Sequence, residues 1–94
     1  MLQSMVKEDY DKLMTKMRRP KGEEIETMRR FINKKVEVIS LWDGKMQMEV
    51  GVLTDINHEQ IYIPPITVPF SGRYCGVISF ACDGNIIYDI NSLA

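Results

Sequence analysis

The side chains with the most chemical capacity cluster around turn and loop signals. Trp42 directly precedes an Asp43-Gly44 dipeptide, Tyr62 precedes a proline-containing stretch, and Arg73 and Tyr74 close that stretch. An aromatic ring at a loop rim can stack on a nucleobase, a contact worth ~1–3 kcal/mol. A lone Arg in a Gly-containing loop such as FSGRYCG can hold a phosphate or a partner's carboxylate. The alternatives are plainer: Trp42 covers a core edge, Phe70 plugs the end of a barrel, and Arg73 is an ordinary surface residue.

Catalytic chemistry finds no comparable grouping. His58 is the only histidine and stands in a polar Asn57-His58-Glu59 turn, where a solvent-facing role is the usual one. Asp55 with Glu59, or Asp83 with Asp89, could act as acid and base, but carboxylates on hairpins are ordinarily solvated surface. Cys75 and Cys82 are the only cysteines. Their odd spacing in one strand predicts opposite faces, and with one distant histidine they make no zinc site. No phosphate-cradling glycine loop is present. The residues call for no cofactor and no enzyme.

The charges divide unevenly along the chain. Residues 1–35 carry ten Lys and Arg against six Asp and Glu, a net of +4, whereas residues 36–94 carry two against seven, a net of −5. A basic arm on an acidic body can contact nucleic acid, with Arg18, Arg19, Arg29 and Arg30 as its contacts; a solvated pair of helices is the plainer reading. The length of 94 residues and a hydrophobic fraction of 45% fit one small globular domain. No apolar run approaches the ~20 residues that span a bilayer. A cytoplasmic protein with reduced thiols and no membrane contact is expected.

The elements that must position these residues follow from periodicity. Val6, Tyr10, Leu13, Met14 and Met17 recur at helical spacing, predicting a helix over about 4–18 capped by Ser4. Pro20 and Gly22 interrupt it. A second helix is predicted over about 23–32, with Ile25, Met28 and Ile32 on its apolar stripe. From Lys35 the period changes to two. Val36 and Val38 share one face while Ile39 and Leu41 share the other, which predicts a bulge near Ser40. Asp43-Gly44 and Asp83-Gly84 are hairpin turns. Gly51 lies mid-strand, where a glycine lets a strand bend hard. Pro64, Pro65 and Pro69 predict a long loop to about Arg73. Residues 74–82 and 85–90 complete the strands. The expected fold is α+β: a helical arm over 1–34, then a small, strongly bent five-stranded antiparallel SH3/Sm-like β-barrel over 35–94, together one compact domain.

The two hairpins resemble the Sm-like family of small barrels. The first motif corresponds to Val36, Val38, Leu41, Asp43, Gly44, Gly51, Val52 and Leu53, and the second to Gly84, Ile86, Ile87, Tyr88 and Ile90 within FACDGNIIYDI. The chain is also similar to the bacterial YolD-like group, with its helical N-terminal part, D-G hairpin and closing hydrophobic-aspartate-isoleucine strand. The resemblance covers about residues 23–94. It implies ring assembly and RNA binding, but the residues depart from the pattern. Asn57 stands near one base-pocket position and Ile61 near the other, and Asp83 replaces the second motif's Arg, where it would repel phosphate.

Two functional expectations follow. One is a non-enzymatic, self-associating module that binds nucleic acid or a nucleotide through Trp42, Asn57, Tyr62, Arg73, Tyr74 and Asp83, with the basic arm assisting. The other is a protein–protein interaction module, an adaptor or inhibitor of phage or mobile-element type. The seven methionines, the proline-rich loop and the acidic body support the second.

Overall fold

Where the sequence period changes, the structure changes too: both α-helices precede Asn33, and all strands but the short first one follow it. The computed structural model describes residues 3–4, 7–73 and 75–92. Helix α1 runs Lys7–Lys16 and α2 runs Gly22–Arg29. Ser4 is not a helix cap; with Gln3 it forms a short strand, β1 (Gln3–Ser4), paired to Lys45 and Met46. Val6 lies outside the described residues. The first stripe otherwise packs as expected, with Leu13 buried and Tyr10, Met14 and Met17 partly so. α2 buries Ile25 and Met28 and stops short of Ile32, because the chain turns left-handed at Asn33 (φ 74°). That turn is fastened to the far end of the first hairpin. Asn33 N donates to Leu53 O at 2.8 Å, and Leu53 N donates to Lys34 O at 3.0 Å.

The larger sheet contains β2 (Lys35–Trp42), β3 (Lys45–Val52), β7 (Ser71–Gly72), β8 (Cys75–Cys82) and β9 (Asn85–Asp89), joined by β1. Its order is β1-β3-β2-β8-β7, with β9 also pairing β8. Every pairing is antiparallel. Both predicted turns are present and nearly superimposable in conformation: φ is 50° and 78° at Asp43-Gly44, and 52° and 79° at Asp83-Gly84. Two successive positive φ angles match the twist of the flanking strands. The bulge expected near Ser40 is also present. The β2–β8 register shifts between Ile39 and Ser40, leaving Ile78 of β8 as the extra residue. This shift resets the alternation along β8. By register Cys75 (opposite Trp42) and Cys82 (two along from Phe80) fall on one face, not on opposite faces as their spacing alone predicted. Both cysteines are free.

The smaller sheet is β4 (Asp55–Ile56), β5 (Gln60–Ile63) and β6 (Ile66–Pro69), in that order. The prolines do not make a long loop. Pro64-Pro65 forms the tight β5–β6 turn, and Pro69 ends the edge strand β6, where a missing donor is tolerated. The two sheets are not closed into a barrel, and the strands are more numerous than the five expected. β3 ends at Val52, and among the described residues no ladder carries the larger sheet into the smaller one. Side chains join them instead. Val36, Val38, Val77 and Phe80 pack with Leu53, Ile56, Ile61, Ile63, Val68 and Phe70, and α2 adds Ile25 and Met28. Phe31 meets Phe80, and Phe70 meets Tyr88, edge to face at ring centroid distances of 6.2 and 5.9 Å. Phe70 is thus a core residue. Gly51 allows a close approach of the two sheets: a Cβ placed there would lie 2.5 Å from Ile63 Cγ2.

Candidate functional site: a cleft between the sheets at Trp42

The two-residue turn at Asp43-Gly44 fixes which way β3 faces. Trp42 pairs with Lys45, so Ser40 meets Gln47, Val38 meets Glu49 and Val36 meets Gly51. Opposed residues of an antiparallel pair share a face. The polar residues of β3 therefore share a face with the buried valines of β2 and turn toward the smaller sheet. Its apolar residues turn outward: Met48, Val50 and Val52 are each about half exposed, at 50%, 48% and 52%.

Gln47 and Glu49 line a cleft of about 180 Å³ between the sheets. Ser40, Leu41 and Trp42 form another side, Ile66, Thr67, Val68 and Pro69 of β6 a third, and Gly76 completes it. Glu49 is the only charged residue in this lining. It is half-buried, and among the described residues no ion pair or hydrogen bond to its carboxylate occurs. Trp42 is 55% exposed and also borders a second hollow of about 230 Å³ with Asp43, Arg73 and Cys75. Burial pushes the Cys75 thiol pKa up, so that sulfur is a poor nucleophile.

The other expected residues are dispersed. Tyr62 is partly exposed on β5. Asn57 shapes the β4–β5 turn: its Oδ1 accepts from the Glu59 and Gln60 N–H groups at 2.8 and 3.0 Å. Asp83 is exposed in the second hairpin turn, away from the cleft lining. Tyr74 lies outside the described residues. The structure thus brings Trp42 and Arg73 together and leaves Asn57, Tyr62 and Asp83 apart from them.

Two of the four arm arginines are engaged internally. Arg18 donates from both terminal nitrogens to the Glu24 carboxylate at 2.9 Å each. That hydrogen-bonded pair holds the Glu24 carboxyl below its usual pKa, aided by the Lys21 backbone N–H, and raises that of Arg18. Arg29 pairs with Glu26 at 2.6 Å and donates to Ile56 O at 3.0 Å. Arg19 and Arg30 are exposed. Nearby, the Tyr88 hydroxyl is buried without a hydrogen-bond partner, and burial raises its pKa. Among the described residues no group of three or more His, Cys, Asp or Glu could hold a metal ion, and no helix is long and apolar enough to cross a membrane.

Gln47 and Glu49 escaped the reading of the sequence because periodicity gives a strand's spacing and not its phase. The signal that locates them was present in the two-residue turn. Comparison with known proteins finds no matching family model, no matching curated protein and no matching solved structure.

Proposed function

We propose that the protein is a non-enzymatic interaction module that engages a protein partner at the Trp42 cleft. The carrying observation is the inverted strand β3, which turns Gln47 and Glu49 into a concave site beneath an exposed indole. Folding alone would favour the opposite phase, with Met48, Val50 and Val52 inside. Size supports a protein segment over a nucleotide: about 180 Å³ falls below the ~300–1,000 Å³ of pockets that enclose small molecules. Charge supports it too, since the only ionic group in the lining is a carboxylate, which opposes phosphate.

Nucleic-acid binding is the second reading. Exposed Arg19 and Arg30, with Trp42 and Tyr62 available for stacking, favour it. The paired Asp-Gly hairpins support kinship with Sm-like and YolD-like proteins in an opened form. Self-association belongs to either reading. Among the described residues the outer edge of β3 is paired only at Lys45 and Met46, and free edges invite pairing.

A peptide-display selection on the full chain, counter-selected with Trp42→Ala, tests the first reading. Enriched peptides should bind the parent at least about tenfold more tightly than the variant, the span of one buried anchor contact. A salt series with a fluorescent single-stranded oligonucleotide tests the second. Binding that falls steeply with salt, and loses about one unit of slope per arginine in the Arg18, Arg19, Arg29 and Arg30 quadruple neutralisation, would replace the protein reading. So would failure of the selection to yield any peptide sensitive to Trp42.

A further inference from the structure

We infer that the cleft receives one cationic side chain, an arginine or lysine, from the partner. This rests on the proposed engagement at Trp42 and adds the chemical class of the group that enters.

The lining is graded from apolar to polar. Ile66 and Val68, which share one face of the smaller sheet with Ile61 and Ile63, offer an apolar wall against which a methylene stem can lie. Gln47 and Glu49 supply oxygen acceptors, and the Ser40 hydroxyl lies on the same face. No Lys or Arg is in the lining to compete for them. A half-buried carboxylate lacking an ion pair or hydrogen bond to its own chain retains its attraction for an incoming cation, and partial exclusion of water strengthens that attraction. The indole at the rim attracts a cation through its ring quadrupole, most strongly of the three aromatic types. An arginine matches all of these features, since its planar head donates in a fork and also stacks on aromatic surface. The volume, about 180 Å³, corresponds to about six water molecules at ~30 Å³ each. That is room for one long side chain and not for a helix or a strand.

Among the described residues Glu49 makes no ion pair or side-chain hydrogen bond that would account for its position. Its cross-strand partner is Val38, which is fully buried. A valine or threonine at 49 would pack there at least as well by the ordinary preference of strands.

Trp42 is the only tryptophan, so its emission reports on this site directly. The full chain is titrated with N-acetyl-arginine methylamide at constant ionic strength. The uncharged counterpart, N-acetyl-citrulline methylamide, and N-acetyl-leucine methylamide are run in parallel. The arginine probe should change Trp42 emission saturably, with a dissociation constant on the order of millimolar for about sixteen non-hydrogen atoms. Citrulline should bind at least about fivefold more weakly, the span of a partly exposed ion pair. Glu49→Gln, isosteric and of parent-like melting temperature, should lose the difference between the two probes. If that variant does not fold, the arginine–citrulline comparison on the parent chain decides alone. Equal saturation by all three probes overturns the cationic class and leaves engagement at Trp42 standing. Silence from all three, together with a display selection that yields Trp42-sensitive peptides lacking basic residues, also overturns it. Silence together with a failed selection overturns both.

Discussion

Strands β2 and β3 are hydrogen-bonded neighbours, each eight residues long, and they dispose of their apolar residues in opposite directions. In β2, Val36 and Val38 are fully buried between exposed Lys35 and Glu37. In β3, Met48, Val50 and Val52 face solvent while Gln47, Glu49 and Gly51 face inward. Residues 35–38 of β2 and 47–52 of β3 each alternate, and nothing in either stretch alone distinguishes inside from outside. The comparison teaches that phase belongs to the pair and is set by the turn. Once Asp43-Gly44 is a two-residue loop, Val38 must meet Glu49. A one-residue change in that loop would bring Val50 and Val52 onto the buried face and expel the polar set. The observed register keeps polar groups inside, where they add less to stability than the apolar set would.

The sharpest way to break the comparison is at Gly51, an inward position of β3 that lies directly against Ile63 of the smaller sheet. Gly51→Val should destabilise the fold by about 3 kcal/mol, because a β-branched side chain must displace the buried Ile63. Chemical denaturation would read this, and an unchanged midpoint would show that the sheets can separate freely there. A paired substitution measures the difference between the strands themselves. Val38→Ala should cost about 2 kcal/mol through lost burial and a small cavity. Val50→Ala should stay within about 0.5 kcal/mol, as surface changes do. Equal costs by the same denaturation assay would mean that β3's outer face is covered in solution.

A smaller effect should come from the arm, through Glu24. Its carboxyl pKa is lowered in the folded state, chiefly by the Arg18 hydrogen bond. A lowered pKa contributes stability that is fully present above the unfolded value of about 4.3 and is lost as pH falls through the folded value. Both partners retain some exposure, so Glu24→Gln should cost no more than about 1 kcal/mol at neutral pH. Melting curves of parent and variant should converge as pH drops below about 4. A constant gap down to pH 2 would separate the loss from ionisation.

Much of the fold was legible because its signals are local. The Asp-Gly turns, the bulge near Ser40 and the apolar stripe of Ile25 and Met28 each follow from a few adjacent residues. Barrel closure was not legible. It depends on whether β3 continues past Val52 into a second ladder, a long-range outcome that no short pattern encodes. Prolines misled for a related reason: Pro64, Pro65 and Pro69 exclude a central strand, and β6 is an edge strand. The Cys75–Cys82 relation failed on one extra residue, Ile78. Of the candidate site, Trp42 and Arg73 were found from residue type and turn position. Gln47 and Glu49 needed the cross-strand register.

The docking of α2 has a consequence for how the protein is made. α2 packs against β4 and against β9, and Arg29 reaches the Ile56 carbonyl. During synthesis α2 is translated well before either strand exists. Ile25 and Met28 must wait, uncovered, until nearly all of the described chain has been translated. Contacts between such distant segments form slowly, since the intervening loop must close first. A helix of eight residues is too short to persist alone in that interval. The docking of α2 is therefore completed only late in translation, when the last hairpin arrives to close over it.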